Sequence, residues 1–586
     1  NAGQNRLTRS FQDLIKDNWG KYFYIRDLKS HTYWSATYKP VMHPFEDFLV
    51  VHGLGYSRFT QKIEGIISCL TVFVAADAPV EVFQLELTNE STEPRQLDVT
   101  SYAEWLLGFA PDEHREFHKL FIETSADIAR RTVLARKCLW GFPDELGRYN
   151  NSDWPYTAFF AVSEPLKSFD CDKESFIGMY RRDDQPLAMI QSSLACRFGR
   201  FTDAIVALQV AVDLEPGQTK TIIFTLGAAE DGKEDVWELI ERFTSPEKSA
   251  QALQSVKNFW SQFVDSERVE TPDDALNFMT NDWLKYQAIS CRLWGKSGPY
   301  QVSAGYGFRD QLQDSQIFLV SKPELTKKQI LFHAAQQFVE GDVYHWWFSI
   351  RGGGPRTNCS DDLLWLPFIL NAYLQETSDF TILEETVAYV NGPAESLYEH
   401  CKRAIERSFS RFSPRGVPLM GDHDWNDGLN AVGTQLKGES FWVAEFLYMI
   451  LGDFIPLAHR QGDMQFAQKC QNVRESIKRS FECFGWDGEW YLQATTDAGL
   501  PLGSKDNAEG KIFLMPNIWA AISGLAEPER ALQAMESVSR YLLKDYGTLL
   551  NFPAFTKPRS DIGYVTRYAP GLRENGGVYT HAATWS

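Results

Sequence analysis

The sequence lacks the cysteine patterns of a disulfide framework or a metal site. Its nine cysteines are an odd number, stand singly between Cys69 and Cys483, and include no C-x-x-C pair. Isolated cysteines of this kind are typical of reduced core thiols in a cytoplasmic protein. Since no cluster of residues has the spacing of metal ligands, we predict no metal site.

Long apolar runs, a leader sequence and positive charge are scarce as well. We expect no apolar run to be long enough to cross a bilayer, and hence no membrane partner. The opening residues, Asn1 to Arg6, lack the basic and then apolar layout of a signal peptide. A formal net charge of −19 argues against nucleic acid, because its phosphates require a dense cationic face. A small phosphate ion is still compatible with the sequence where a few cationic groups converge.

The chain is instead rich in residues that build cores. At 586 residues it should contain two or three domains, and hydrophobic residues at 44% and aromatic residues at 14% exclude a disordered chain. The 18 tryptophans suit carbohydrate ligands, although we expect most of them in the core.

Residues 1–228 are predicted to form an antiparallel β-sandwich. Phe83, Leu85 and Leu87 alternate with polar residues, which is the period of a strand with one buried face. Two further apolar runs, 206–214 and 221–226, flank Glu215-Pro216-Gly217-Gln218. The Pro and Gly favour a chain reversal, so we predict a hairpin there.

From residue 229 the pattern becomes helical. Residues 229–270 carry apolar side chains at helical spacing and are predicted to be a helical linker. Residues 271–586 are predicted to form a helical barrel whose polar loops build one face and carry the site. The predicted helices of this part are 275–294, 326–339, 361–376, 396–409, 439–460, 464–481 and 528–543.

The most informative segment is the loop Gly421-Asp422-His423-Asp424-Trp425-Asn426-Asp427-Gly428-Leu429-Asn430. Cleavage of a glycosidic bond needs a carboxylic acid that protonates the leaving oxygen, and a second carboxylate nearby keeps that acid protonated. We predict Asp427 as the acid and Asp424 as its support. A calcium loop is the alternative, but its sixth position is Asp427 rather than Gly, and its twelfth is Gly433 rather than Glu.

Three more segments carry candidate ligands. Arg309 and Asp310, in Tyr306-Gly307-Phe308-Arg309-Asp310, could grip sugar hydroxyls, or form an ion pair beside a helix cap. Arg351 and Arg356 stand in a glycine-rich loop that suits an anion or a sugar.

The helix that follows this loop begins with Asp361 and Asp362, which could simply favour the helix dipole. Near the end of the chain, Arg573, Glu574 and His581 surround a Gly-Gly turn. His581 could bind phosphate or be a hydrogen-bonded core histidine.

Taken in this order and spacing, these segments resemble the inverting β-glucoside phosphorylases of glycoside hydrolase family 94. That family includes cellobiose, chitobiose, laminaribiose and 1,2-β-oligoglucan phosphorylases and the phosphorylase-like part of cyclic β-1,2-glucan synthases. The resemblance covers nearly the whole chain, from Asn5-Arg6-Leu7-Thr8-Arg9 through His52-Gly53-Leu54-Gly55-Tyr56 and Gly485-Trp486-Asp487-Gly488-Glu489-Trp490.

The resemblance implies an N-terminal β-sandwich, a helical linker and an (α/α)6 barrel, with Asp427 as general acid. It also implies contacts of Asp310 and Trp425 with the transferred glucosyl unit, of Glu574 with the leaving sugar and of His581 with phosphate. From the residues themselves we predict further substrate contacts from Arg309, Asp361, Asp362 and Arg573, and a phosphate contact from Arg356. Arg573 stands where cellobiose-type members have Lys, and Ala304 where they have an Arg. The linkage of the sugar is therefore left open.

The implied reaction is phosphorolysis of a β-linked glucose di- or oligosaccharide to α-glucose 1-phosphate, with inorganic phosphate as co-substrate and no cofactor. An inverting hydrolase would need a second carboxylate as base, about 6.5–9.5 Å from the acid. The other alternative is a sugar-binding remnant without turnover. The resemblance also implies that the last inner barrel helices lie beyond Ser586. We therefore expect association, either as the homodimer usual in the family or with a second polypeptide that completes the barrel.

Overall fold

The computed structural model describes residues 6–9, 15, 20–108, 115–139, 153–265, 267–295, 305–348 and 353–586. Asn5, Ala304 and Arg351, which were considered above, lie outside the described residues. The chain divides into two compact units, residues 1–305 and residues 306–586.

The first unit contains two antiparallel sheets. Six strands form one sheet, in the order β12-β13-β8-β2-β3 with β1 also paired to β8, and eight form the other, in the order β4-β5-β6-β7-β14-β11-β10-β9. The strands are β1 Arg6–Thr8, β2 Tyr22–Asp27, β3 Tyr33–Ser35, β4 Asp47–Gly53, β5 Tyr56–Ile63, β6 Ile66–Val74, β7 Val80–Asn89, β8 Arg95–Gly108, β9 Ile122–Asp127, β10 Thr132–Lys137, β11 Tyr156–Val162, β12 Ser168–Asp172, β13 Ala204–Leu214 and β14 Thr219–Glu230.

The core of this unit lies between the two sheets. The alternation on β7 is confirmed, since Phe83, Leu85 and Leu87 are 2%, 0% and 0% exposed. The ring of Phe83 lies 5.1 Å from that of Phe23 on β2, and Phe23 lies 5.0 Å from Phe224 on β14. Because β2 belongs to the other sheet, these aromatic contacts join the two faces of the sandwich.

The predicted hairpin at Glu215–Gln218 is wrong. The runs on either side do form strands, but β13 pairs with β8 and β12, whereas β14 pairs with β7 and β11. The turn therefore leads the chain from one sheet to the other. Strand alternation identifies a buried face, but it does not identify the partner of the strand.

Helices accompany and follow the sandwich. Two short ones, α1 Arg115–His118 and α2 Lys173–Ile177, lie between strands, and α3 Val236–Phe243 and α4 Pro246–Val264 follow β14. Trp260 and Val256 of α4 pack against Gly55, at the tight turn between β4 and β5. The helical run from 274 to 295 comprises α5 Asp274–Phe278 and α6 Leu284–Gln287, with π-helical segments Met279–Trp283 and Ala288–Gly295.

The second unit is mainly helical. Its helices are α7 Phe308–Asp314, α8 Pro323–Ala334, α9 Trp365–Thr377, α10 Leu397–Phe409, α11 Phe441–Arg460, α12 Met464–Phe484, α13 Leu514–Ile522, α14 Pro528–Tyr541 and α15 Thr580–Ala583. Short ladders pair 306–307 with 346–347, 386–388 with 394–396, 439–440 with 494–495 and in turn 501–502, 512–513 with 551–552, and 543–544 with 547–548.

The helices of this unit differ in how much of their surface is buried. Helices α9, α11 and α13 are buried over most of their length, whereas α12 and α14 bury one face and expose charged residues on the other. Helix α10 also buries one face, and its charged residues are half-buried. Rings from the buried helices meet in the core, where Phe446 lies 4.6 Å from Trp365 and 5.5 Å from Trp519.

Helix α11 corrects the expectation about apolar runs. Among the described residues, Phe441–Arg460 alone is long and apolar enough to cross a membrane by length and composition. Its apolar window is 72% buried inside the chain. The same composition thus serves here as a core helix of the second unit.

All nine cysteines are free, but they are not all core thiols as predicted. Cys171, Cys359, Cys401 and Cys470 are buried, whereas Cys138, Cys196 and Cys483 are exposed.

Glu445, in the middle of α11, is a buried carboxyl group. Its side chain is 0% exposed, and neither carboxyl oxygen has a hydrogen-bond partner among the described residues. Burial without a compensating charge raises the pKa of Glu445 well above its usual value. The folded protein therefore holds a proton that the unfolded chain releases.

Replacement of Glu445 by Gln should remove a pH dependence of stability. Because the pKa is raised in the folded state, the free energy of unfolding of the wild type falls as pH rises above about 4.5, by at most about 1.4 kcal/mol per pH unit from this group. Urea unfolding from about pH 5 to about pH 8 should show the wild type losing stability relative to Glu445→Gln. The exposed Glu475→Gln on α12 is the control. Equal slopes for the wild type and Glu445→Gln would contradict the prediction.

Candidate active site

The loop that carries the predicted acid is held by its own side chains. Asp427 begins a 3-10 turn, Asp427–Leu429, and Asn426 caps that turn by accepting a hydrogen bond from the amide of Gly428 at 3.0 Å. At the start of the loop, Gly421 has φ +63° and packs against the carbonyl oxygen of Asn358. A side chain at position 421 would meet that oxygen, so the close approach requires glycine.

Arg309, near the start of α7, bridges this loop and Asp361, which lies shortly before α9. Its Nη1 lies 3.3 Å from Oδ1 of Asp361 and donates to the carbonyl oxygen of Asp424 at 3.2 Å. Its Nη2 donates to Oδ1 of Asp427. The guanidinium is almost fully buried, so its charge must be balanced by these carboxylates.

The surroundings of Asp427 favour its ionised form over the protonated form that a general acid needs. Burial by itself raises its pKa, but the positive charge of Arg309, followed by those of His423 and His345, lowers the pKa below the usual value. The carboxyl side chain is 38% exposed, so solvent or a ligand can reach it. In the ligand-free chain the predicted acid is therefore ionised.

The predicted electrostatic role of Asp424 is corrected by this arrangement. Asp424 accepts hydrogen bonds from Ser440 Oγ at 2.7 Å, Gln493 Nε2 at 3.1 Å and the amide of Asn426 at 2.9 Å. Burial raises the pKa of Asp424 to about 6, although these hydrogen bonds lower it. Asp424 thus supports the loop through hydrogen bonds, and it is not among the main groups that set the pKa of Asp427.

Asp361 and Asp362 were predicted as sugar ligands, but the structure turns them inward. They are 0% and 2% exposed. Asp361 accepts from Trp365 Nε1 at 2.9 Å and from Cys359 Sγ at 3.0 Å, in addition to its pair with Arg309. Asp362 Oδ2 lies 2.7 Å from Nδ1 of His345. Both aspartates therefore position cationic side chains rather than face a sugar.

Sequence analysis missed two histidines at this site. The rings of His345 and His423 meet edge to face at 5.0 Å, and His423 Nδ1 lies 3.3 Å from Oδ1 of Asp427. Burial lowers the pKa of His345, but the adjacent Asp362 carboxylate and Cys359 raise it to about 11. His423 stands inside the acidic loop and could have been singled out there, whereas nothing in the local sequence around His345 connects it with Asp427.

Three tyrosines near the chain end also escaped prediction. Tyr564 and Tyr579 have pKa values raised by burial first, and then, among other charges, by Asp427 and Glu574. The charge of Asp310 also acts on Tyr579, which places Asp310 near the same space. The pKa of Tyr568 is raised by burial and by the same two carboxylates. These phenols add hydrogen-bonding groups around the acid.

Trp425 packs into an aromatic cluster. Its ring lies 5.4 Å from Tyr579, 5.4 Å from His581 and 5.8 Å from Trp585. The structure thus brings His581 to the acidic loop, as the prediction of a shared site requires. The assignment of His581 to phosphate and of Trp425 to a sugar stays a prediction.

Glu574 is a buried carboxylate with one oxygen that lacks a hydrogen-bond partner among the described residues. It is 4% exposed, its Oε1 lies 3.4 Å from Arg573, and its Oε2 has no hydrogen-bond partner among the described residues. A buried acceptor without a partner is costly, so a ligand that donates a hydrogen bond here would be stabilised. The predicted sugar contact of Glu574 and Arg573 is compatible with this geometry.

Arg356, the predicted phosphate ligand, is paired with two carboxylates, and its assignment to phosphate stays a prediction. Its Nη2 lies 2.7 Å from Asp342 and 3.1 Å from Glu340. Asp342 also binds Arg407 at 2.6 Å and Arg411 at 2.7 Å. Three arginines thus share two carboxylates, so the positive charge of this group is not fully balanced.

A well-formed cleft among the described residues lies elsewhere. It has a volume of about 920 Å³ and is lined in the first unit by residues that include Glu123, Arg136, Asp231 and Trp237. None of the residues gathered around Asp427 lines it, so we place the candidate active site by its chemistry and not by cavity size.

Comparison with known proteins identifies the family of this chain. Residues 259–586 match the catalytic domain of the glycosyl hydrolase 94 superfamily, and residues 1–246 match the glycosyl hydrolase 94 supersandwich domain. The chain belongs to glycosyl hydrolase family 94.

Family 94 relatives match along most of this chain. It is 34% identical over 610 residues to the cyclic β-(1,2)-glucan synthase NdvB of Rhizobium meliloti. The aligned region covers 100% of this chain and 21% of the synthase. The chain is 32% identical to the solabiose phosphorylase of Paenibacillus borealis, over 96% of this chain and 71% of that enzyme. It is 28% identical to the N,N'-diacetylchitobiose phosphorylase of Vibrio furnissii, over 99% and 75%. The chain thus spans about a fifth of the synthase and about three quarters of the phosphorylases.

A solved structure supports the fold. A bacterial glucoamylase complexed with acarbose superposes with a TM-score of 0.61 at 8% identity, over 96% of this chain and 78% of the glucoamylase. Together with the two domain matches, this confirms the predicted architecture of an N-terminal sandwich followed by a helical domain of the (α/α)6-barrel type.

Replacement of Gly421 by Ala should distort the acidic loop. A Cβ there would lie 2.0 Å from the carbonyl oxygen of Asn358 at a φ of +63°. We expect the free energy of unfolding to fall by roughly 2 to 4 kcal/mol, measured by urea unfolding. Gly462→Ala is the matched control, because Gly462 has φ +75° and nothing within 4 Å of its Cβ. If both variants lost the same stability, the contact with Asn358 would not be what requires Gly421.

Proposed function

We propose that this chain catalyses inverting phosphorolysis of a β-linked glucose di- or oligosaccharide, with Asp427 as general acid and inorganic phosphate as nucleophile. The observation that carries the proposal is the ion pair between Arg309 and Asp427 beside Trp425 and His581. The phosphorylase names of relatives that match most of this chain support the same reaction class.

The ion pair suggests how Asp427 becomes protonated. Asp427 is ionised while Arg309 faces it, so it must gain a proton before it can donate one. A phosphate dianion that binds near His581 adds negative charge, which raises the pKa of a neighbouring carboxyl group. A sugar hydroxyl that accepts a hydrogen bond from Arg309 loosens the pair further. Phosphate is then required both to attack the anomeric carbon and to hold the proton on Asp427.

Three of the carboxylates near Asp427 are poorly suited to activate water as the attacking group, whereas Glu574 Oε2 has no hydrogen-bond partner among the described residues. An inverting hydrolase needs a free carboxylate base on the opposite side of the sugar. Asp361, Asp362 and Asp424 are buried and engaged with cationic or hydrogen-bonding partners. None of these three is available to activate a water molecule. The hydrolase and the sugar-binding remnant are therefore the alternatives that the experiments below must exclude.

The sugar contacts, partners and compartment are part of the proposal. Asp310, Trp425, Arg573 and Glu574 would hold the sugar units, and His581 the phosphate. The nine free thiols support a reducing, cytoplasmic location. Assembly as a homodimer, or with a second polypeptide, is also proposed, and no cofactor other than the co-substrate phosphate is expected.

Asp427→Asn should lower the rate of phosphorolysis by about a hundredfold to ten thousandfold, because an amide cannot donate the proton of a carboxylic acid. The rate is measured as phosphate-dependent release of glucose 1-phosphate. Asp422→Asn is the control in the same loop, because an amide oxygen can still accept the hydrogen bond from the amide of Asn358 that Asp422 accepts at 2.7 Å. Full activity of Asp427→Asn would end the assignment of the acid.

The reaction class is tested by phosphate dependence. The chain is incubated with cellobiose, laminaribiose, sophorose, solabiose or N,N'-diacetylchitobiose, with and without phosphate, and the products are identified by NMR. We expect the α-1-phosphate of the non-reducing sugar, which is α-glucose 1-phosphate for the glucobioses, only with phosphate present, because direct attack inverts a β linkage. Release of free sugar without phosphate would identify a hydrolase. Binding without any cleavage would identify a sugar-binding remnant.

A further inference from the structure

Three side chains beside the acid meet in a way that the proposed phosphorolysis does not use. One nitrogen or sulfur atom each of His345, Cys359 and His423 lies within 4.8 Å of the others. Sequence spacing does not reveal the group, because its members come from the segment before the glycine-rich loop, the segment after it, and the acidic loop.

The distances suit a tetrahedral ion. Zinc binds sulfur at about 2.3 Å and nitrogen at about 2.0–2.1 Å, so a sulfur and a nitrogen on one tetrahedral ion lie about 3.5 Å apart. Cys359 Sγ lies 3.5 Å from Nδ1 of His423. These two ligand atoms are thus already separated by the edge of a zinc tetrahedron.

His345 carries the hydrogen bond that a metal-binding histidine usually makes. Its Nδ1 lies 2.7 Å from Oδ2 of Asp362, which leaves Nε2 as the ring nitrogen that can bind an ion once the ion displaces its proton. A ligating histidine almost always donates its other ring N–H to a carboxylate or carbonyl group, which orients the ring. Asp362 is itself 2% exposed and cannot turn to solvent.

Two buried carboxylates lie beside these ligands, one paired with Arg309 and the other with His345. The sulfur of Cys359 and one carboxylate oxygen each of Asp361 and Asp362 lie within 4.8 Å of one another. Oδ1 of Asp362 is buried and has no hydrogen-bond partner among the described residues. A buried carboxylate oxygen without a partner is costly, and a cation nearby relieves that cost.

The chemistry of the ligands selects the ion. Magnesium and calcium take oxygen ligands, whereas one thiolate and two imidazoles suit zinc and similar borderline ions. Three protein ligands leave a fourth position for water or a solute. Nδ1 of His423 would exchange its present contact with the carbonyl oxygen of Asp424, at 2.9 Å, for the ion.

The geometry points to a binding site for a zinc-like divalent ion formed by His345, Cys359 and His423, with Asp362 orienting His345. The site adjoins Asp427 through His423, whose Nδ1 lies 3.3 Å from Oδ1 of the acid. It does not depend on the proposed function, since an ion can bind whether or not the chain turns over a sugar.

Cobalt tests the site directly, because Co²⁺ replaces Zn²⁺ and is coloured. Co²⁺ is titrated into untagged, chelator-treated protein, and absorbance is followed. We expect one equivalent to produce a thiolate-to-cobalt charge-transfer band in the near ultraviolet and intense visible bands of a tetrahedral ion, both removed by Zn²⁺. If the wild type shows neither set of bands, the proposal is overturned.

Variants locate the ion. Cys359→Ser keeps a hydroxyl that can donate to Asp361 and should lose the charge-transfer band, with Co²⁺ affinity lowered at least about tenfold. His423→Gln keeps the thiol and should lose the visible tetrahedral bands, so the test survives if Cys359→Ser does not fold. Circular dichroism and thermal unfolding verify the fold of each variant. The exposed Cys483→Ser is the control and should bind as the wild type does. Retention of the charge-transfer band in Cys359→Ser, or its loss in Cys483→Ser, would overturn the proposal.

Discussion

The buried guanidinium of Arg309 is the constraint on which the rest of the candidate site depends. A charge that is almost fully removed from water must be paired, and Arg309 is paired with Asp361 on one side and Asp427 on the other. It also binds the carbonyl oxygen of Asp424. One side chain thus holds together three segments that are far apart in the sequence, and it determines where the acidic loop lies and in which charge state Asp427 waits.

Asp424 and Asp427 show how environment separates two carboxylates only three residues apart. Asp424 is enclosed by hydrogen-bond donors, and burial raises its pKa to about 6. Asp427 is partly open and faces Arg309, which outweighs burial and lowers its pKa. Pairs of carboxylates whose environments push their pKa values apart commonly divide the work of catalysis. Here the division is between a group that shapes the loop and a group that can meet a ligand.

Local patterns predicted much of the fold because they report on burial. The alternation around Phe83 identified a sandwich strand, and the apolar spacing that ends at Arg460 identified the core helix α11. The failures have physical causes of the same kind. Alternation does not name a strand's partner, so β13 and β14 were taken for a hairpin although they lie in different sheets. Likewise, no spacing rule connects Arg356 with Asp342, although the two are paired in the structure.

The sequence by itself determined the order of sandwich and helical domain, the acidic loop with Asp427, and the set of sugar-type side chains, because these follow from periodicity and from motifs within one segment. Only the tertiary structure decided what each charge faces: that Arg309 neutralises Asp427, that Asp361 and Asp362 point inward, and that His345, Cys359 and His423 meet. Charge and hydrogen bonding act over a few ångströms, and those distances are set by packing between segments that the linear order keeps apart.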